Sequence, residues 1–254
     1  MRRLLITTLL ITCFSITACS SWLSSSGKGD IYKGYSAKQL FDYAESALAK
    51  SNYSDAIKRF EALDANYPFS KYAEQAQIDM VYAYYKNEDY ASAAASADRY
   101  IHLYPRSQHT DYAYYIKGMS NFRQKRGAFA TFLPLDESWR DPGTQKQAYD
   151  DFATLLKRFP KSAYVADARQ RMVYLRNQLA KKEINIANFY MKRKMYVAAS
   201  NRASYVIKNF SQADQTEAAL ELLYRANKAL GLNDAAKDAR TVLKASYPHS
   251  AYLS

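Results

Sequence analysis

One spacing occurs five times along this chain of 254 residues. In each copy an alanine stands twelve residues before the second residue of an aromatic-Pro dipeptide, which is aromatic-Ser in the fourth copy. The first two prolines are 37 residues apart, enough for two short antiparallel helices and two turns. The spacing therefore predicts a helical repeat protein. The five copies are Ala56 with Tyr67-Pro68, Ala93 with Tyr104-Pro105, Ala148 with Phe159-Pro160, Ala199 with Phe210-Ser211 and Ala236 with Tyr247-Pro248.

The residue types within one copy have a mechanical explanation. Alanine lets two helix backbones approach closely, an aromatic residue such as Phe60 fills the next turn, and Pro68 cannot continue the helix. Ala56, Phe60 and Pro68 resemble the motif of the tetratricopeptide repeat, which has a small residue, an aromatic four later and a proline twelve later. The predicted fold is all-α, a tetratricopeptide-repeat solenoid of five helix-turn-helix repeats.

The start of the chain predicts a lipoprotein signal peptide over residues 1–18. Two arginines follow the initial methionine and precede an apolar run that ends at Phe14, which is too short to span a bilayer. The small residue before Cys19 resembles a lipobox, after which the cysteine becomes the acylated first residue of the mature chain. The alternative is an ordinary signal peptide with an incidental cysteine. Residues 19–34, rich in Ser and Gly, are then predicted to form a flexible tether.

The repeats are expected to occupy residues 35–254 as one continuous domain, because a solenoid grows by stacking. Two stretches exceed the period. Residues 127–143 are predicted to form a loop, whose apolar side chains pack either on the solenoid or on a partner. Residues 163–192 lack Gly and Pro and predict one long helix. The missing proline after Phe210 predicts a looser turn there.

The sequence does not indicate an enzyme. The three histidines, His102, His109 and His249, lack metal-ligand spacing. There is also no phosphate-binding glycine loop and no nucleophile in a recognisable motif. We therefore expect no catalytic residues, no metal site and no cofactor.

Position within the repeat predicts which side chains line the concave face. In the tetratricopeptide repeats that this chain resembles, the second, fifth, ninth and twelfth residues of each first helix face the inner groove. Here they give an aromatic floor with cations beside it, which suits an extended peptide with aromatic side chains and a free carboxylate. The alternative is that half of these aromatics pack between helices. The predicted groove residues at these positions are Lys38, Phe41, Tyr82, Tyr85, Tyr112, Tyr115 and Phe122, with Lys86 and Arg123 one position further along their helices.

Several features together resemble the BamD family of outer-membrane assembly lipoproteins, and the resemblance covers nearly the whole chain. It implies a protein held by lipid on the periplasmic face of the outer membrane, in the BAM complex with a BamA-type barrel subunit and accessory lipoproteins. The features are the lipobox, the Ala-Glu-x-Ala-Leu segment from Ala44, the Arg140-Asp141-Pro142 turn, the Phe159-Pro160 stop, the helix from Arg171 to Lys182 and the Asn201-Arg202 pair.

The resemblance also implies different roles for the two ends of the solenoid. Residues 35–162, repeats one to three, are expected to bind the targeting signals of unfolded outer-membrane β-barrel proteins. Residues 163–254, repeats four and five, are expected to dock on a periplasmic POTRA domain of the BamA-type subunit. Arg202 matches the family's docking arginine, with Asn201 beside it, although the valines usual around this pair are replaced here.

The formal net charge of +12 leaves a second function open. Basic proteins can bind nucleic acid, but a secreted lipoprotein rarely meets it, and the Lys and Arg residues are dispersed along the chain. Anionic lipids, cell wall and acidic protein surfaces are better partners. The alternative function is therefore a cell-wall or division-associated lipoprotein that links peptidoglycan to the outer membrane, which leaves the groove aromatics unexplained.

Overall fold

The structure, a computed structural model, describes residues 32–124 and 143–253. Over these residues the chain forms ten α-helices, a terminal 3₁₀ turn at Ala251–Leu253 and no strand, which confirms the all-α prediction. The helices are α1 Ala37–Ala49, α2 Tyr53–Asn66, α3 Ala73–Lys86, α4 Tyr90–Leu103, α5 Thr110–Arg123, α6 Gly143–Arg158, α7 Val165–Lys192, α8 Tyr196–Asn209, α9 Thr216–Ala229 and α10 Asn233–Ser246.

Successive helices pair into five helix-turn-helix repeats, and each helix contacts the next one along the chain. The first helices of repeats two and three, α3 and α5, also contact each other, as do α7 and α9 of repeats four and five. Helices on the inner side of a curved stack lie closer together than those on the outer side, so the first helices form the inner side. The predicted five-repeat solenoid is confirmed.

The turn inside a repeat uses a residue with positive φ. Ser51, Glu88, Lys194 and Gly231 occupy this position in repeats one, two, four and five, with φ values of 57°, 60°, 58° and 76°. Glycine adopts this left-handed conformation without strain, whereas the other three residues have a Cβ that opposes it. The same backbone reversal therefore recurs in four of the repeats, independently of the residue type.

The aromatic residue that follows each second helix closes it with one hydrogen bond. Its N–H donates to the carbonyl four residues earlier at 2.8 Å in all five repeats, including Phe210 to Val206. In the turn itself, the Ala213 N–H donates to the Phe210 carbonyl at 2.8 Å, against 3.0–3.1 Å for the same bond in the other four repeats, so the prediction of a looser turn after Phe210 is wrong. The buried hydroxyl of Thr216 supports this turn without proline, since it lies 3.2, 3.2 and 2.8 Å from the carbonyl oxygens of Phe210, Ser211 and Ala213.

The core is built from small residues that let helices approach closely. The repeat alanines, from Ala56 to Ala236, are at most 4% exposed. Between α5 and α6 the approach is closer still, because a Cβ placed on Gly118 would lie 2.6 Å from the buried ring of Phe152. Glycine is therefore required where these two helices cross, near the middle of each.

The longest helix is α7, whose 28 residues confirm the helix predicted over 163–192. Its first half packs against α6 in a cluster that includes Leu175, and its second half packs against α8 in another that includes Leu179. One helix thus contributes to the cores of repeats three and four. Of the loop predicted at 127–143, all but Gly143 lies outside the described residues, and Gly143 begins α6.

The chain before α1 packs against repeat one. The Tyr67 hydroxyl donates to the Tyr35 carbonyl at 2.8 Å, and the Tyr35 and Tyr43 rings lie 5.7 Å apart. Tyr32, within the predicted tether, packs on the same cluster, with the Arg59 guanidinium 5.9 Å from its ring centre. Packing against repeat one therefore begins at least three residues before residue 35, the predicted start of the domain.

A partly buried ionic cluster joins α4, α5 and α6. Lys117 Nζ on α5 lies 2.6 Å from Asp98 Oδ1 on α4 and 3.3 Å from Asp151 Oδ1 on α6. Asn121 Nδ2 donates to Asp151 Oδ2 at 2.8 Å. Burial raises the pKa of Asp151, while the Lys117 ammonium and the Asn121 amide oppose that shift. One lysine thus ties the second helices of repeats two and three to the first helix between them.

Candidate functional site

All nine predicted groove residues lie on α1, α3 and α5, the first helices of repeats one to three. All of them except Lys38 take part in ring–ring or cation–π contacts. Tyr82 is the most exposed of the six aromatic residues, at 37%, and its ring meets that of Tyr53 edge-on at 6.3 Å. It is therefore the aromatic residue of the set that is most available to a ligand.

Two of the predicted aromatics stack between repeats. Phe41 stacks on Tyr72 with ring centroids 5.1 Å apart, and Tyr115 stacks on Tyr164 at 4.6 Å. Tyr72 and Tyr164 each stand four residues after a proline stop, at the N-cap of the next first helix. Sequence analysis missed both, and the repeated Pro-x-x-x-Tyr spacing is the signal that could have found them. Phe41 and Tyr115 therefore serve packing first.

A polar contact accompanies the second stack. The Tyr115 hydroxyl donates to Asp167 Oδ2 at 2.8 Å, and Arg171 binds the same carboxylate at 2.6 and 3.1 Å. Burial and the Asp167 carboxylate raise the pKa of Tyr115 to about 12. Tyr112 meets Tyr164 at 5.4 Å, and burial raises the pKa of Tyr112 well above its ordinary range. Both phenols are therefore neutral at pH 7, and the ion pair supplies the charge at this junction.

The two predicted lysines differ in their availability. Lys38 Nζ lies 2.5 Å from Asp42 Oδ2, one turn along α1, so its charge is already matched. Lys86 Nζ lies 6.0 Å from the ring centre of Tyr53, within the range of a cation–π contact. Lys86 is exposed, so its ammonium is accessible to a ligand.

The end of α5 presents a further cation. The Arg123 guanidinium lies 5.5 Å from the ring centre of Tyr85, and hydrogen bonding to Tyr90 raises the pKa of Arg123 further. Beside it, the Phe122 ring lies 5.2 Å from the Arg171 guanidinium. Arg123 is exposed, whereas Tyr85 and Phe122 are half-buried. Aromatic rings thus hold both guanidinium groups at the inner surface.

Asn201 and Arg202 lie on α8, away from these contacts. Arg202 Nη1 donates to Glu183 Oε2 on α7 at 3.0 Å. The arginine side chain is 45% exposed, while that of Glu183 is only 14% exposed. Together with Tyr190 and Tyr205, the pair lines an open depression of about 340 Å³. The more buried Glu183 carboxylate holds the Arg202 guanidinium in place, and part of the arginine side chain stays exposed.

Cys19, the predicted lipidation site, lies outside the described residues, and its acylation stays a prediction. Within residues 32–124 and 143–253, no group of three or more His, Cys, Asp or Glu side chains could hold a metal ion. No helix in this part of the chain is long and apolar enough to cross a membrane.

Comparison with known proteins decides the family. The model of a family described as an outer membrane lipoprotein, YfiO, matches residues 33–243. The outer membrane protein assembly factor BamD of Neisseria gonorrhoeae is 35% identical over 254 residues, covering 100% of this chain and 94% of that protein. The chain belongs to the BamD family. The BamD of Vibrio cholerae is 34% identical over 233 residues, covering 92% of this chain and 97% of its own.

The match to the BamD family includes both predicted sites. It runs from the chain just before α1 to Leu243 in α10, and so contains the groove helices as well as Arg202. Among solved structures, pilF of Pseudomonas aeruginosa is 16% identical, covers 85% of this chain and 79% of its own, and has a TM-score of 0.36. A TM-score this low supports no structural argument from pilF.

Proposed function

We propose that this chain is a non-enzymatic scaffold of the machinery that assembles outer-membrane β-barrel proteins, with a peptide groove in repeats one to three and a docking surface in repeat four. The relatives named as outer membrane protein assembly factors support the general role. The groove rests on one observation. Tyr82, Lys86 and Arg123 present an aromatic face and two cations on α3 and α5, which contact each other.

The chemistry of these three side chains indicates the ligand. The family resemblance implies targeting signals with alternating apolar residues, a terminal aromatic residue and a free carboxylate. Tyr82 offers a ring for the aromatic side chain, and Arg123 offers a planar fork for the carboxylate. Lys38 is less suited, because Asp42 already balances its charge.

Tyr82→Ala is expected to weaken binding of a short peptide with this pattern and a terminal phenylalanine. Truncating a central aromatic contact costs about 2 kcal/mol, or roughly 30-fold in affinity. Fluorescence anisotropy with the labelled peptide measures the change. Amidating the peptide carboxylate should weaken binding separately, and more so at low salt, because salt screens exposed charges.

The control for this measurement is Tyr252→Ala, since Tyr252 is 46% exposed and lies in the terminal 3₁₀ turn. Its affinity should equal that of the unmodified protein. Tyr115 is unsuitable for the test, because its removal would also disturb the stack on Tyr164. Equal peptide affinity for the Tyr82 variant and the control would place the site elsewhere.

We further propose that Arg202 forms the centre of the surface that docks on the BamA-type subunit through its POTRA domain. A guanidinium has five N–H donors in a fixed geometry, and the bond to Glu183 occupies only part of them. A carboxylate or carbonyl of a partner that enters the depression beside Asn201 would meet the remaining donors. The half-exposed Tyr190 and Tyr205 supply ring surface on either side.

The proposed attachment to the outer membrane is through acylated Cys19, with accessory lipoproteins and the BamA-type subunit as neighbours. Cys19→Ser should abolish incorporation of labelled fatty acid and release the protein into the soluble periplasmic fraction, because several acyl chains hold a protein far more firmly than one. Cys13→Ser, in the predicted signal peptide, is the matched control and should leave labelling intact. Labelled lipid on the Cys19 variant would contradict the anchor.

The charge distribution supports the peptidoglycan alternative more than the sequence analysis suggested. Residues 161–253 contain 16 Lys and Arg against 7 Asp and Glu, whereas residues 32–124 contain 11 of each. The positive charge of the repeats is therefore concentrated in repeats four and five. Salt-resistant co-sedimentation with purified peptidoglycan, without capture of a β-barrel partner, would favour this alternative.

A further inference from the structure

The turns inside repeats four and five place an apolar residue at the N-cap, the position just before the second helix. The N–H of the N-cap residue donates to the carbonyl five residues earlier at 2.9, 3.1, 2.9 and 2.9 Å in repeats one, two, four and five. The four positions are therefore structurally equivalent. They are Asn52, Asp89, Met195 and Leu232.

The two ends of the solenoid use this position differently. Asn52 Oδ1 accepts from the backbone N–H three residues later at 3.4 Å, and Asp89 Oδ1 does the same at 3.1 Å. Such acceptors are strongly preferred at an N-cap, because the first N–H groups of a helix have no partner within it. Met195 and Leu232 make no such bond. Helix stability therefore does not explain the apolar residues of repeats four and five.

The apolar side chains of these two turns are exposed. Met195 and Leu232 are 50% and 53% exposed, and Val197 and Leu230 beside them are 60% and 36% exposed. None of the four lines the depression beside Arg202. Since α7 and α9 contact each other and end at these turns, the four side chains lie along one edge of repeats four and five.

Cations surround the apolar side chains of this edge. The ten residues from four before to five after the N-cap contain five cations and one acidic residue in repeats four and five together, against two cations and three acidic residues in repeats one and two. None of the five cations forms an ion pair with another described residue. The cations are Lys192, Arg193, Lys194, Lys228 and Lys237, and the acidic residue is Asp234.

We propose that this apolar and cationic edge binds the surface of an anionic lipid bilayer. Met195 and Leu232 enter the headgroup region, and the surrounding lysine and arginine side chains reach the lipid phosphates. Apolar side chains flanked by cations are typical of segments that lie in a membrane interface, where each cation adds to the attraction. A flat surface can contact both turns at once, because neighbouring helices lie about 8–10 Å apart.

Vesicle binding tests the proposal in a chain that starts at residue 19 and carries Cys19→Ser, so that neither the predicted signal peptide nor an acyl chain contributes. It should co-sediment with phosphatidylethanolamine vesicles that contain about a quarter phosphatidylglycerol, and bind about ten-fold more weakly to phosphatidylcholine alone. Adding Met195→Asn and Leu232→Asn should weaken binding to the anionic vesicles about ten-fold. Equal binding with and without the two asparagines, or equal binding to both kinds of vesicle, overturns the proposal.

The fold of the asparagine variant is checked by its melting temperature. This should rise by about 4 °C, because asparagine supplies the cap that repeats one and two already have. The control for vesicle binding is Val242→Asn, since Val242 is 48% exposed but lies more than two turns into α10. It should bind the anionic vesicles as tightly as the parent chain.

A label on the full acylated chain gives an independent measurement. On the anionic vesicles, a fluorophore attached to Leu232→Cys should be about five-fold less accessible to iodide than one attached to Asp89→Cys, the equivalent position of repeat two. Equal accessibility overturns the proposal. An asparagine variant that loses the BamA-type subunit but keeps its vesicle binding also overturns it, and would assign the edge to a protein partner.

Discussion

Lys117→Met is expected to lower the free energy of unfolding by about 3 kcal/mol. The ammonium balances Asp151, whose side chain is 11% exposed, and Asp98 on the opposite helix. Methionine fills a similar volume but leaves a buried carboxylate with only the Asn121 amide, and breaking a buried pair from one side is among the more destabilising changes known. Urea unfolding followed by circular dichroism measures the difference.

An exposed ion pair on α6, formed by Lys146 and the neighbour of Asp151, Asp150, provides a matched control. Lys146 pairs with Asp150 at 2.7 Å, but their side chains are 57% and 58% exposed. Lys146→Met should therefore change the free energy of unfolding by less than about 0.5 kcal/mol. Similar losses for the two variants would mean that burial of the Lys117 cluster contributes little. The loss for Lys117→Met should also shrink at low pH, where Asp151 takes up a proton.

Arg202→Glu is expected to abolish co-purification of the BamA-type subunit while the helical circular dichroism spectrum stays unchanged. Removing one member of a buried charged contact at an interface costs roughly 2–5 kcal/mol. The new carboxylate would also face Glu183, 3.0 Å from the present guanidinium, and would leave the docking surface negative. Affinity purification from membranes, quantified against the unmodified chain, measures the loss.

Arg225→Glu controls for the general effect of the charge reversal. Arg225 is 58% exposed and lies 3.9 Å from Glu221, which is 15% exposed, so the pair resembles that of Arg202 and Glu183 in burial. It lies on α9, outside the depression beside Asn201. The control should retain the partner. Loss of the partner in both variants would point to the overall charge of repeats four and five.

The fold could be predicted from sequence because it depends on local geometry. The alanine and proline positions set where each helix packs and ends, and the absence of Gly and Pro over 163–192 was enough for α7. The turn after Phe210 was predicted incorrectly because proline is not the only means of ending a helix. Thr216, six residues later, supplies the contacts through its hydroxyl.

The site could be predicted only in part, because the exposure of a groove residue depends on distant residues. Position in the repeat places Tyr115 on the inner side, but Tyr164, far along the chain, covers its ring. Likewise, position in the repeat predicts Lys38 as a cation of the groove, whereas the structure shows that the Asp42 carboxylate already balances its charge.

Helix α7 joins the two proposed surfaces. Near its start Asp167 holds the hydroxyl of Tyr115 beside the groove, and near its end Glu183 holds Arg202. These two acidic residues are separated by about 24 Å at the rise of an α-helix, a distance that cannot change unless the helix unwinds. An extended chain covers it with about seven residues. A polypeptide that contacts both the Tyr115–Asp167 junction and the Arg202–Glu183 pair therefore needs about seven extended residues between the two contacts, and α7 sets that length.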